Sequence, residues 1–236
     1  MLKVNSALIL YFTAFILYVF AVLIGSDNLE LFTKPIILPS IYYFYYISVR
    51  GKIDYLFSLS VLSFFIGEIL HLISREEFNV SGLIFLLIPY FIILFFIFQD
   101  LIYYLKKKKI NLNTFSFYII VMLLVYLLFN ALMMMIEEKS FEFFIYFLYG
   151  ILLLLMGILA FVMLINYINR TILYTGFMVS CFLLSDLFFV FSKKIPDLLA
   201  LKMINVATQE LSFFCYISYF VYRTKFKLYG KRDIQD

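Results

Sequence analysis

The feature that most constrains this chain is a series of eight apolar runs, most of them about 20 residues long and joined by short polar links. A helix of about 20 apolar residues crosses the hydrocarbon core of a bilayer. Because a bilayer offers no water to backbone groups, such runs form helices. We therefore predict one all-α, polytopic membrane domain over residues 1–236. The predicted spans cover about residues 6–25, 34–49, 53–73, 80–98, 113–136, 141–165, 172–192 and 198–222.

The amino-acid composition argues against several classes of function. Hydrophobic residues make up 65% and charged residues 14%, which is far from the balance of a soluble enzyme. The net charge of +4 sits in the short links, so we expect no nucleic-acid partner. Cys181 and Cys215 fall inside apolar runs, and no metal-ligand spacing is present, so we expect neither a metal nor a cofactor. The first run lacks a small-residue cleavage site, which favours a retained span over a signal peptide.

The basic residues predict the orientation. With a cytoplasmic N-terminus, thirteen Lys and Arg residues fall on the cytoplasmic side and five on the outer side. Cytoplasmic loops carry the excess of Lys and Arg in membrane proteins. We therefore predict that both termini are cytoplasmic and that short links make neighbouring helices antiparallel within one bundle.

The chain also shows a weak internal repeat. A shift of 118 residues aligns Gly67-Glu68 of the third run with Ser185-Asp186 of the seventh. Both runs cross in the same direction under the predicted orientation. This pattern is compatible with two four-helix halves in a parallel repeat, which would bring Glu68 and Asp186 together at similar depth.

Ionisable residues inside the spans mark the candidate site. Acids within a bilayer are costly, usually face the protein interior, and indicate function by default. Glu68 and Asp186 each lie roughly 9 Å of helix rise inside the predicted outer boundary. His71 follows Glu68 by one turn, Lys34 opens the second span, and Gln209 and Glu210 lie deeper in the eighth. We expect a polar cavity in the outer half of the bundle.

Two interpretations of these residues remain open. Two neighbouring carboxyl groups can hold one protonated acid beside one ionised base, which is what acid–base hydrolysis requires. Alternatively, the acids pair separately with Lys34, His71 or backbone groups and only fix helix packing. Lys34 also has the option of extending to the outer headgroups.

The order of short motifs along the chain resembles the YhhN family, the bacterial relatives of the animal lysoplasmalogenases. The motifs are Lys34-Pro35, Gly67-Glu68, Gly82 with Phe85, Phe182, Ser185-Asp186 and Gln209. The resemblance implies an eight-span hydrolase of a bacterial cytoplasmic membrane that cleaves the vinyl ether of lysoplasmalogen. It implies Glu68 and Asp186 as catalytic residues. Lys34, Ser185 and Gln209, which belong to these motifs, are predicted as supporting or substrate-binding residues, and His71 is added because it lies one turn from Glu68.

The chain departs from the family pattern at two places. Glu68 stands where the family usually has aspartate, and Ile88 stands where it usually has a histidine. His71 is a candidate to replace that histidine from the neighbouring helix. The alternative function is a proton-coupled or small-molecule transporter, or a lipid-binding membrane protein without catalysis. In either case we expect membrane lipids or a lysolipid as partners.

Overall fold

The computed structural model describes residues 5–73, 79–106, 115–136, 140–167, 169–195 and 198–229. These residues form eight α-helices and contain no β-strand. The helices are α1 (Ser6–Ile24), α2 (Asp27–Ser48), α3 (Tyr55–Ile73), α4 (Asn79–Leu105), α5 (Phe115–Met134), α6 (Ser140–Asn166), α7 (Arg170–Lys194) and α8 (Leu199–Tyr229).

Six of these helices, α1 and α3 to α7, are long and apolar enough to cross a membrane. The other two, α2 and α8, do not meet the same requirement of length and apolarity. The protein is therefore a helical, membrane-embedded protein, while eight spans and cytoplasmic termini stay predictions. Part of the orientation argument lies outside the described residues, namely Lys3, Arg75, Lys107, Lys108, Lys109, Lys139, Lys231 and Arg232.

The second helix begins earlier than predicted. Gly25 ends α1 in the left-handed conformation at φ 63°, and the amide of Ser26 donates to the carbonyl of Ala21 at 3.0 Å. This close turn lets α2 start at Asp27, with acidic residues in its first turn that favour a helix N-terminus. The prediction that Lys34 opens this helix is wrong. Lys34 lies two turns inside α2, where it faces neighbouring helices.

The fourth and eighth helices extend past their predicted ends because their polar residues satisfy one another. Arg223 of α8 donates from Nε to Oδ1 of Asp100 at 2.8 Å and from Nη2 to Gln99 at 2.9 Å. Tyr219 donates to Oδ2 of Asp100 at 2.6 Å. Arg223 is buried, and its guanidinium stacks 4.6 Å from the ring centroid of Phe96. Arg223, predicted to lie in the tail after the last span, is instead a core residue.

Most of the helix contacts are those that two related halves would produce, but the contacts of α1 with α8 and of α5 with α7 have no equivalent of similar extent among the described residues. In one half α1 packs on α2, α2 on α3, and α3 on α4. In the other half α5 packs on α6, α6 on α7, and α7 on α8. Between the halves, α2 contacts α8 and α4 contacts α6, which are equivalent pairs under the predicted repeat. The repeat itself remains a prediction.

An aromatic contact joins the two halves at the centre. The ring of Phe64 on α3 stacks on Phe182 of α7, with a centroid separation of 5.7 Å and an interplanar angle of 12°. The two residues are equivalent under the 118-residue shift. Phe213 on α8 packs edge-on against Phe64 at 5.3 Å and against Phe182 at 6.3 Å. These three rings line the cavity of the candidate site.

The contact between α4 and α8 yields a stability prediction. Arg223→Met leaves the carboxylate of Asp100 in the protein interior without its cation, and losing one partner of a buried pair costs about 3 kcal/mol. We expect a matching fall in the free energy of unfolding in detergent micelles. Lys225→Met on the same helix is the control, and equal stability of the two variants would contradict the prediction.

Candidate functional site

A small buried cavity lies where α3, α4, α6, α7 and α8 meet. Its volume is about 30 Å³, enough for a water molecule or two but not for a lipid. The polar residues on its wall are Glu68, Tyr90, Tyr149, Ser185, Asp186 and Gln209. The apolar residues are Phe64, Leu86, Phe182 and Phe213. Both acids predicted from the sequence therefore face one space.

The aromatic stack explains why the two acids meet. Glu68 follows Phe64 by four residues, and Asp186 follows Phe182 by four, so each acid lies one helical turn beyond a stacked ring on the same face. Since the two rings stack face to face, the turns above them hold Glu68 and Asp186 against a shared cavity.

Close approach of α4 also shapes the wall. A Cβ added at Gly67 would lie 2.7 Å from the Leu86 side chain and 3.2 Å from the carbonyl oxygen of Gly82. A side chain at this position would require the Leu86 side chain to move and the Gly82 carbonyl to shift slightly. The absence of a side chain at Gly67 therefore leaves room for Leu86, which lines the cavity.

Glu68 is held as an ion pair. Its Oε2 lies 2.5 Å from Nζ of Lys34 on α2, and its Oε1 accepts a hydrogen bond of 2.5 Å from Nε2 of Gln209 on α8. The side chains of Glu68 and Lys34 are only 7% and 14% exposed. Lys34 also lies 5.4 Å from the ring centroid of Tyr18 on α1. Three neighbouring helices therefore meet at one carboxylate, and Lys34 contacts protein groups rather than reaching out of the bundle.

Asp186 has different partners. The hydroxyl of Tyr90 donates to its Oδ2 at 2.7 Å, and Asp186 forms no ion pair within the described part of the chain. Tyr149 packs edge-on against Tyr90 at 4.8 Å. The preceding Ser185 is buried, and its carbonyl accepts a hydrogen bond of 2.7 Å from Asn205 of α8. Asp186 thus sits among aromatic rings, with a neutral donor in place of a cation.

His71, the candidate to replace the family's histidine, is not on the wall of the cavity between the two acids. Its ring lies against Gly82, 3.1 Å from where a Cβ would be. Ile88, at the position where the family usually has histidine, is 36% exposed and is also absent from the wall. Tyr90, two residues later, is the polar residue that α4 brings to the acids. Tyr90 was not predicted as a site residue because it is one of 20 tyrosines in the chain and its local sequence does not set it apart.

Glu210 is a second residue that the sequence analysis did not assign. It is 1% exposed, and its Oε2 has no hydrogen-bond partner among the described residues. The backbone carbonyl of Glu210 accepts a hydrogen bond from the hydroxyl of Tyr11. The available signal was its place inside an apolar run, directly after Gln209.

A further ion pair lies beyond this layer along α2 and α8. Nζ of Lys202 is 3.4 Å from Oε1 of Glu30, and Glu30 precedes Lys34 by one helical turn. The Lys202 side chain is 40% exposed whereas that of Glu30 is 9% exposed. Charged groups therefore lead from the surface toward Glu68 along the α2–α8 contact.

Two acids with unlike surroundings suit proton transfer. Glu68 contacts a cation and an amide donor, whereas Asp186 accepts a hydrogen bond from one phenol, is surrounded by aromatic rings and has no cationic partner within the described part of the chain. Over the described ranges, no group of three or more His, Cys, Asp or Glu residues is placed to hold a metal ion.

A separate cleft of about 350 Å³ lies between the ends of α5 and α7. It is lined by Met133, Met134, Ile136, Phe191, Lys194 and Ile195. Neither acid is on its wall, so it is distinct from the cavity between Glu68 and Asp186.

Comparison with known proteins finds no matching family model, no matching curated protein and no matching solved structure. The resemblance to the YhhN family therefore rests only on the order of the short motifs along the chain.

The hydrogen bond between Tyr90 and Asp186 predicts that two tyrosines of the same cavity, Tyr90 and Tyr149, contribute differently to the free energy of unfolding. Tyr90→Phe removes a hydrogen bond to a partly buried acid, which costs about 1–3 kcal/mol. Tyr149→Phe removes a hydroxyl from the same wall without touching that bond. We expect Tyr90→Phe to lower the free energy of unfolding in micelles more than Tyr149→Phe. Equal losses would contradict the assigned bond.

Proposed function

We propose that the protein is a YhhN-like membrane hydrolase that cleaves the vinyl ether of a lysoplasmalogen. The observation that carries this proposal is the placement of Glu68 and Asp186, with unlike partners, on the wall of one buried cavity. Both residues stand at the motif positions to which the family resemblance assigns the chemistry. The motif order and the cavity support the same pair independently.

In the proposed reaction Asp186 is the acid. Its carboxyl O–H bond breaks and the proton adds to the outer vinyl carbon, which leaves an oxocarbenium ion. Tyr90 bonds to Oδ2, so Oδ1 of Asp186 is the oxygen available to carry that proton. The surrounding rings exclude bulk water and strengthen electrostatic interactions in the cavity.

Glu68 is the proposed base. It takes a proton from a cavity water, whose oxygen then bonds to the oxocarbenium carbon to give a hemiacetal. The hemiacetal breaks into a fatty aldehyde and a glycerophospho-alcohol. The proton that Glu68 gained returns through the cavity to Asp186, so the pair is restored and one water is consumed. Lys34 and Gln209 orient Glu68 for this step.

The proposal includes a topology of eight spans with both termini in the cytoplasm of a bacterial cell. The acids then lie in the outer half of the membrane, and the lysolipid comes from the outer leaflet. A cavity of about 30 Å³ does not accommodate a lipid chain, so substrate entry requires wall side chains to move.

A second candidate is a proton-coupled carrier. It is favoured by the water-sized cavity and by Glu210, a buried acid without a hydrogen bond to its Oε2 among the described residues. A carrier would move protons or bind lipid without releasing a product, which separates it from the hydrolase in the assay below.

The hydrolase proposal predicts a specific loss of turnover. Purified wild-type protein in micelles should release fatty aldehyde from a defined lysoplasmalogen. Glu68→Gln and Asp186→Asn should each reduce kcat by about 100-fold or more, which is the usual contribution of a positioned acid or base.

The control is Glu30→Gln, which neutralises a buried acid outside the cavity and should retain turnover. A folded wild-type protein that releases no aldehyde, or full activity in both cavity variants, would refute the hydrolase. Proton-coupled flux without product would instead favour the carrier.

A further inference from the structure

Glu210 is a buried acid that the proposed hydrolysis does not use. Its neighbours come from three helices. The hydroxyl of Tyr11 on α1 donates to the backbone carbonyl of Glu210, and the preceding residue, Gln209, bonds at 2.5 Å to Glu68 of α3, which lies 2.5 Å from Lys34 of α2. Lys34 and Glu68 are the charged groups that act electrostatically on the carboxyl of Glu210. Glu210 therefore belongs to the same electrostatic group as the Lys34–Glu68 ion pair.

The charges of this group do not balance if both acids are ionised. Lys34 supplies one positive charge, whereas Glu68 and Glu210 together offer two negative charges. The Lys34 ammonium is already placed 2.5 Å from Glu68. A second uncompensated carboxylate in a buried, low-dielectric site is strongly disfavoured. The group is electrically neutral when one of the two acids carries a proton.

We propose that Glu210 is a proton-binding site, and that Glu68 and Glu210 share one proton and one cationic partner, Lys34. In the arrangement seen here Lys34 pairs with Glu68, and Glu210 holds the proton. Transfer breaks the O–H bond of Glu210 and forms one on Glu68, and the Lys34 ammonium follows the negative charge. No other reactant is needed, and the net charge is unchanged.

This proposal goes beyond the proposed hydrolysis because it holds whether or not the cavity cleaves a substrate. For a hydrolase, it gives Glu68 two states, an ionised base and a neutral acid. The Glu30–Lys202 pair, one turn from Lys34 and partly exposed, is the nearest charged link to the surface for proton exchange.

Infrared difference spectroscopy tests this directly through the C=O stretch of a protonated, buried carboxyl group. Spectra are taken of the purified full-length protein in micelles, in an Asp186→Asn background that removes the other cavity acid. Glu210→Gln should remove one protonated glutamic acid band. Glu68→Gln should remove the same band, because Lys34 is then free to pair with Glu210 and ionise it.

Two further variants complete the design. Lys34→Met removes the shared cation, so the band should persist and a second one, from Glu68, should appear. Glu30→Gln removes an acid that has its own partner, Lys202, and should leave the band unchanged. Circular dichroism and gel filtration establish that each variant is folded, and the glutamate variants decide the question even if Lys34→Met does not fold.

Each result decides the proposal. Loss of the band in both Glu68→Gln and Glu210→Gln supports a shared proton. Loss in Glu210→Gln alone overturns the exchange of Lys34 between the acids, and loss in neither overturns the proton site. Failure of the hydrolase leaves these spectra unchanged, so the two proposals fail separately.

Discussion

The ion pair between Lys34 and Glu68 is the interaction on which the rest of the site depends. It joins α2 to α3, and Gln209 adds α8 through the second carboxylate oxygen. Both side chains are largely buried, so removing either partner leaves a charge whose cost is about 3–5 kcal/mol. Such a contact fixes which face of α3 points inward. It also contributes to the packing of α2 against α8, since Lys34 and Gln209 bind the same carboxylate.

The aromatic stack of Phe64 on Phe182 complements that ion pair one helical turn along α3 from Glu68. It fixes the distance between α3 and α7, and through the next helical turn it determines where Asp186 lies. The site therefore combines an ionic contact between α2 and α3 with aromatic packing between α3 and α7. The unlike surroundings of the two acids, which acid–base chemistry requires, follow from this arrangement.

Much of the helical framework could be predicted because hydrophobic run length reports directly on membrane-embedded helices. Glu68 and Asp186 were recognisable for the same reason, since an acid stands out in an apolar run. The start of α2 and the ends of α4 and α8 were not, because polar residues such as Asp100 and Arg223 look like loop residues until their partners are known. Tertiary pairing overrides the local signal there. Tyr90 was not predicted, and Glu210 was placed in the eighth span without a role, because their importance lies in contacts between distant helices.

The central functional claim is that Glu68 and Asp186 act as one acid–base unit, and the aldehyde-release rate of the double variant tests it most directly. Residues that act together in one step lose their activity together, so combined substitutions are not additive. We predict that Glu68→Gln with Asp186→Asn retains about the same residual rate as the worse of the two single variants. Losses that multiply in the double variant would contradict the claim, because they would show that the two carboxyl groups act independently.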